Sequence, residues 1–504
     1  MRARTRLALL ACAALSLACG EPAGFSSCFR RGVPPIEVPP VPARLEAPRP
    51  QSPRTPLHLV LVSIDTLRAD RLGVYGHDRA TSPRIDRLAA EGVFFESAYS
   101  HAPKTAPSHM SLMTGVHPDV HGVVNFAGRV DARLSPRIQT LAEILRSAGY
   151  RTAAVTGGGN VHRDLGFGRG FETYEHSDGD AAAIFGRALE QLDALAATRA
   201  DAAQPPFFLF VHTFQVHDPY LPPPAYRALF ADPGYAGRIV GDAERLRALA
   251  GSDWRARHRA FWAGVDARSP ADLRHLHDLY DACIRFTDDE LGRLLDRIDA
   301  LGLAGETLVV VLSDHGEEFL EHGRFGHDAL FDELLRVPLV VRVPDAERRG
   351  LRRGRVREVV RLVDVLPTLL DLVGLPAPDH LEGRTLVPLL QGGEEAPRFV
   401  FAQNRETGSD ALVAGGWKLV AERWNELLFD LARDPAERSP LAGGDAVRER
   451  LRATLEELHA RSLRWHALAP PGRAGPLDAS TRQRLEALGY LGDESAPARP
   501  SRSR

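Results

Sequence analysis

Short, nearly unbroken apolar runs at 57–64, 152–155, 207–211, 307–312 and 339–343 constrain this chain more than any other feature. Each has the length of one strand, and a run without polar alternation must be covered on both faces. Stretches with helical spacing lie between them. Ser82-Pro83 opens a helix, a hydroxyl cap followed by proline at the first helical position, and Gly92 ends it. Ile138, Leu141, Ile144 and Leu145 keep the helical period up to Gly149, and 180–200 reads as a packing helix. Strands interleaved with helices predict an α/β fold, a mostly parallel sheet sandwiched by helices. In such a sheet the site lies beyond the carboxyl ends of the strands. A net charge of −3 and the lack of any basic block exclude a nucleic-acid partner.

The N-terminal segment reads as an address. Arg2, Arg4 and Arg6 precede an apolar run over 7–18, too short for the ~20 residues that span a bilayer. Residues 1–18 are therefore expected to be an export signal peptide. The sequence Leu15-Ser16-Leu17-Ala18-Cys19-Gly20 resembles a bacterial lipobox, which implies a cell-envelope lipoprotein anchored at Cys19. Simple cleavage and secretion is the alternative. Membrane contact is expected only through that lipid. Residues 19–56 form a Pro-rich linker, read as an extended spacer.

Polar residues gather at the strand ends. The first run ends in Asp65-Thr66, and the fourth in Ser313-Asp314-His315-Gly316-Glu317. The third leads into His212 and His217-Asp218-Pro219-Tyr220, and the second into Gly157-Gly158-Gly159-Asn160-Val161-His162. A lone aspartate after a strand is usually a cap, and a lone histidine is usually a packed or surface residue. It is their convergence from distant segments that points to a site. Pro107-Ser108 can open a short helix with Thr105 just before it, where unpaired N–H groups favour an anion. A plain helix cap is the alternative at that position.

Four ordered motifs then carry a resemblance. They are Val62-Ser63-Ile64-Asp65-Thr66-Leu67-Arg68, Thr105-Ala106-Pro107-Ser108-His109 through Thr114-Gly115, Ser313-Asp314-His315-Gly316-Glu317, and Leu335-Arg336-Val337-Pro338. They resemble the sulfatase family of the alkaline phosphatase superfamily. The resemblance implies an alkaline-phosphatase-like catalytic domain over 57–395. It also implies a small C-terminal α+β subdomain with an antiparallel sheet over 396–440, from Gly416-Trp417-Lys418-Leu419 and the segment 428–435. Residues 441–504 are expected to be a helical tail with a disordered end.

Departures from the family pattern shape the expected chemistry. Where sulfatases carry the Cys or Ser that becomes formylglycine, this chain has Thr105, and a secondary alcohol cannot yield that aldehyde. No formylglycine is expected. Related superfamily members use an unmodified, metal-activated Thr or Ser, which fits better. Asn160 and His327 stand where the family has lysines, and His109 where it has arginine. The resemblance implies one divalent metal held by Asp65, Thr105, Asp314 and His315, with Zn, Mn, Ca and Mg all open. His162, His217 and His327 are expected to touch the ester, one of them as general acid, and His109 and Asn160 to bind substrate. The substrate expected is a small-molecule, lipid or glycan ester of sulfate or phosphate, more specifically a phosphodiester or phosphonate ester. A head-group transferase and a glycan-binding pseudoenzyme are the competing readings. The segment 225–280 either shapes the pocket or forms a solvated cover.

Overall fold

A computed structural model describes residues 33–45, 56–126, 129–130, 132–197 and 205–473. The proposed signal segment and Cys19 lie outside the described residues. Among the described residues no helix is long and apolar enough to cross a membrane.

The main sheet contains β1 (His58–Ile64), β2 (Val93–Tyr99), β3 (Arg151–Gly157), β4 (Thr173–Ser177), β5 (Phe207–Thr213), β6 (Thr307–Leu312), β7 (Arg336–Val337), β8 (Leu339–Arg342) and β9 (Gly354–Arg361). Its order is β7–β2–β8–β6–β1–β5–β3–β4, with β9 also paired to β2. The central pairs β6–β1, β1–β5, β5–β3 and β3–β4 are parallel, and β8 runs antiparallel to β6 and β2.

The apolar runs are continuous because each strand feeds two cores. Val60, Val62 and Ile64 of β1 pack in one core, and Leu59 and Leu61 in the other. The helices of the first layer are α1 (Pro83–Glu91), α4 (Ala181–Ala197) and α7 (Pro270–Ala300). The second layer holds α2 (Thr105–Thr114), α3 (Leu141–Ser147) and α8 (Val365–Leu372). Between α4 and α7 the chain adds α5 (Ala243–Ala250) and α6 (Trp254–Ala263). At the end of α1 a Cβ on Gly92 would meet the Val341 carbonyl oxygen at 2.3 Å, so only glycine lets the turn pass β8.

The C-terminal subdomain is an antiparallel four-stranded sheet, β10 (Val400–Asn404), β11 (Ser409–Ala414), β12 (Trp417–Glu422) and β13 (Asn425–Asp430), followed by α9 (Asp445–Leu468). One face packs on Tyr99, Leu330 and Leu334 of the main body, and the other on α9. The expected spacer differs from the structure at 33–45. Val33 is buried with Phe401 and Leu412, Arg461 of α9 hydrogen-bonds the Pro39 carbonyl, and Val41 reaches a neighbouring cluster. The segment is a strap, because its apolar side chains alternate with prolines and find a groove instead of water.

Lys418 joins the subdomain to the body. Its buried ammonium lies 2.8 Å from Asp332 and 2.7 Å from Glu437. Lys418→Met would leave the buried Glu437 carboxylate without its cation. We expect unfolding stability in urea to fall by about 3–5 kcal/mol, with much of it recovered in the Lys418→Met/Glu437→Gln pair.

Candidate active site

The parallel register sets the site. Ser63 of β1 pairs with His212 of β5 and with Leu312 of β6, so Asp65 and Asp314 leave the sheet side by side. The Asp65 N–H donates to the Thr213 carbonyl at 3.0 Å, which carries the ladder one residue beyond β1. Thr66 then turns back at φ 55°, a left-handed conformation that costs a β-branched residue of order 1–3 kcal/mol. The turn aims the Thr66 N–H at Asp314 Oδ1, 3.4 Å away. The Thr66 hydroxyl donates to the Asp65 carbonyl.

Thr105 is the first residue of α2, not the residue before it, and every residue of that helix is buried. Its hydroxyl donates to Asp65 Oδ2 at 3.3 Å and lies 3.5 Å from His315 Nε2. His315 Nδ1–H donates to the Gly316 carbonyl at 3.0 Å, which fixes the tautomer and leaves an Nε2 lone pair. That lone pair faces Asp314 Oδ2 at 3.4 Å and Asp65 Oδ1 at 3.8 Å. Both oxygens are buried without a hydrogen-bond partner.

Three electron-pair donors thus converge on one point. Asp65, Asp314 and His315 meet the spacing needed to hold a metal ion. Burial pushes the Asp65 carboxyl up, and burial plus the Asp65 charge pushes Asp314 up to about 6. Burial pushes His315 down to about 4, which keeps it neutral and able to ligate. A divalent cation would satisfy all three. Two carboxylates and one imidazole form a donor set found with zinc, manganese, magnesium and calcium alike.

A second polar chain approaches from β5. His217 Nε2 lies 3.2 Å from His327 Nε2, and the His327 ring centroid is 4.7 Å from that of His315. His327 Nδ1–H donates to the Pro103 carbonyl at 3.1 Å, so its Nε2 accepts from His217. His217 Nδ1–H is held by Asp218, whose Oδ1 is 2.8 Å away. Burial opposes charge on His217, but the Asp218 carboxylate outweighs it and holds the imidazolium at about 10. Burial pushes His327 down, and the nearby Lys104 ammonium adds to this. The result is a charged histidine with its proton aimed at a neutral one.

Several residues took other places than expected. His109 does not face a substrate. Four residues along α2 from Thr105, its ring points into the sheet. There it donates to the Thr105 carbonyl at 2.9 Å and accepts from Ser63 at 2.8 Å, fully buried. His162 remains on the loop after β3, where Nδ1 accepts from the Asp164 N–H and caps a 3₁₀ turn, with the partly exposed Asn160 on the turn before it. Sequence reasoning gave no role to Asp218, which reads as a turn residue before Pro219. It also passed over Lys104, whose ammonium pairs with Asp328 at 2.6 Å and Glu406 at 3.3 Å. His212, quoted but unassigned, brings Nε2 within 3.2 Å of Asp65 Oδ2.

Known proteins resemble this chain over most of its length. The family model described as Sulfatase matches residues 58–375, and that of the N-sulphoglucosamine sulphohydrolase C-terminal region matches 320–462. A steryl-sulfatase of Mus musculus is 30% identical, over 83% of this chain and 86% of its own. An arylsulfatase of Clostridium perfringens is 25% identical, over 80% of this chain and 95% of its own. The solved phosphonate monoester hydrolase of Agrobacterium radiobacter shares the fold at a TM-score of 0.64 and 23% identity, over 83% of this chain and all of its own.

The donor cluster makes a prediction independent of turnover. Metal-stripped protein should gain several degrees in melting temperature when Zn²⁺ or Mn²⁺ is restored. Asp314→Asn should abolish that gain while the apo protein melts no lower than the apo wild type. An equal gain in the variant would show that the cation binds elsewhere.

Proposed function

This chain belongs to the sulfatase family, and on that premise we propose that it cleaves a phosphodiester or phosphonate ester with unmodified Thr105 as nucleophile. It is a sulfatase-family ester hydrolase. The observation that carries the finer reading is the placement of Thr105 Oγ1 at the start of α2, in contact with Asp65 and His315. A secondary alcohol cannot be oxidised to the aldehyde the sulfate cycle needs. The fold shared with a phosphonate monoester hydrolase is consistent with a phosphorus ester in the same scaffold.

The side chains allow a balanced two-step path. Thr105 Oγ1 attacks phosphorus while its proton passes to Asp65 Oδ2, the acceptor it already contacts. The bond from phosphorus to the leaving oxygen breaks, and that oxygen takes the Nε2 proton of His217 in place of His327. Asp218 steadies the charged imidazole before transfer and orients the neutral one after it. Water then attacks the phosphothreonine and gives a proton to His217. Thr105 Oγ1 leaves and recovers the proton held by Asp65. A divalent cation on Asp65, Asp314 and His315 would supply positive charge to the threonine oxygen and to one ester oxygen.

Two measurements test this. Initial rates on matched p-nitrophenyl sulfate, phosphate, phosphodiester and phosphonate esters should favour phosphorus and fall to background in Thr105→Ala. Thr105-dependent turnover of the sulfate alone would overturn the reading. His217 acts as an acid, so activity is present while it is protonated and is lost as pH rises through about 10. Asp218→Asn should move that alkaline limb down toward 6.5, the ordinary imidazole value. An unmoved limb would remove His217 from the role.

A further inference from the structure

The carboxylate that holds His217 is itself held from outside the sheet. Asp218 Oδ1 meets His217, and its other oxygen, Oδ2, is taken by the insertion. His258 Nε2 lies 2.9 Å from Oδ2, and the Trp262 indole N–H donates to the same atom. An indole N–H only donates and an ionised carboxylate only accepts, so both bonds run toward Asp218. Helical spacing brings the donors together. Trp254, His258 and Trp262 follow one another at four-residue steps along α6, and so share one face. Trp254 stacks on His258 with centroids 4.8 Å apart, and it also lines a cavity of about 590 Å³ beside His217. Trp262 packs on Phe325 at 4.8 Å, two residues before His327. One helix face thus reaches the segments that carry both histidines.

A close carboxylate and imidazole can share a proton in two ways. On Nδ1 it makes an ion pair, and His217 is then a good acid at Nε2. On Oδ1 it makes a neutral pair, and a neutral imidazole does not release its last proton to an alcohol. Burial favours the neutral pair, since Asp218 is 4% and His217 9% exposed. Hydrogen bonds donated to Oδ2 favour the ion pair, because they stabilise the carboxylate in its charged form. Burial opposes the charge on Asp218, but His217 and then the His258 hydrogen bond outweigh it and hold the carboxyl well below its usual range. The carboxyls of Asp65 and Glu317 and the imidazoles of His315 and His327 also face His217. Among the described residues, the hydrogen bonds to Oδ2 come from His258 and Trp262.

We propose that His258 and Trp262 are positioning residues for ester cleavage: by donating to Asp218 Oδ2 they keep the shared proton on His217 Nδ1, so that Nε2 can give its own to the leaving oxygen. Neither has to touch the ester. This deepens the reading above and rests on it, because it takes His217 as the acid.

The test varies the leaving oxygen. Initial rates are taken with the full chain, Zn²⁺ restored, on phenylphosphonate monoesters with p-nitrophenyl, phenyl and ethyl leaving groups. A p-nitrophenolate leaves without a proton, and an ethoxide does not. In His258→Phe/Trp262→Phe the ethyl ester should therefore lose about a hundredfold or more, and the p-nitrophenyl ester far less. His258→Gln in place of His258→Phe should recover part of the ethyl rate, because the amide can donate. A second readout needs no turnover. Nitrogen-15 resonances of His217 at about pH 8, above the ordinary imidazole value, should show both nitrogens protonated in the wild type. The double variant should lose the Nδ1 proton, with melting curves confirming its fold. Rates that fall equally for all three esters, or a His217 that stays doubly protonated without the donors, would overturn the proposal. The resonance change without turnover of any ester by the wild type would uphold the proton hold and remove the hydrolase reading alone.

Discussion

Two carboxylates forced together at the buried end of a parallel sheet are the constraint around which this molecule is arranged. Asp65 and Asp314 leave neighbouring strands at the same level, and neither is exposed to solvent. The imidazoles nearest them, His109, His212 and His315, are all held neutral by burial, so the charge of the more distant His217 is what offsets their repulsion. The fold does not relax this conflict. It builds on it with a strained Thr66 turn and with the start of a fully buried helix that sets Thr105 against Asp65. A site of this kind is poised for a cation and for a substrate that brings charge of its own.

The positive side of the chemistry is kept apart. The charge on His217 depends on Asp218, and Asp218 in turn depends on His258 and Trp262 of the insertion. A peripheral segment thus reaches the proton inventory of the centre through one carboxylate. The insertion lines the cavity beside His217 and also holds that histidine's carboxylate partner, so the two features share one support.

Much of this was legible in the sequence, for definite reasons. The strands at 57–64, 207–211 and 307–312 stood out because each serves two cores and so has no polar alternation. Asp65, Asp314 and His315 drew notice because sites lie past such strands, and their role as ligands came from the sulfatase resemblance. Strand β2 was not legible, because Phe94, Glu96 and Ser97 are only half-buried and break the run. Strand β9 carries Arg355, Arg357 and Glu358 and reads as surface. The direction of His109 was beyond a sequence argument, because position on a helix does not say which face meets the sheet. Asp218 was hidden by its resemblance to an ordinary turn residue, and only its three partners in space reveal otherwise.

The strap over 33–45 lies along the small sheet and α9, with its proline carbonyl and valine held there. Farther along, Val41 and Leu45 pack on the cluster that holds Ala106 and Met110 of α2, the helix that begins at Thr105. The strap is therefore a stitch between the small sheet and the layer that carries Thr105, and a pull from the N-terminal side is shared between the two.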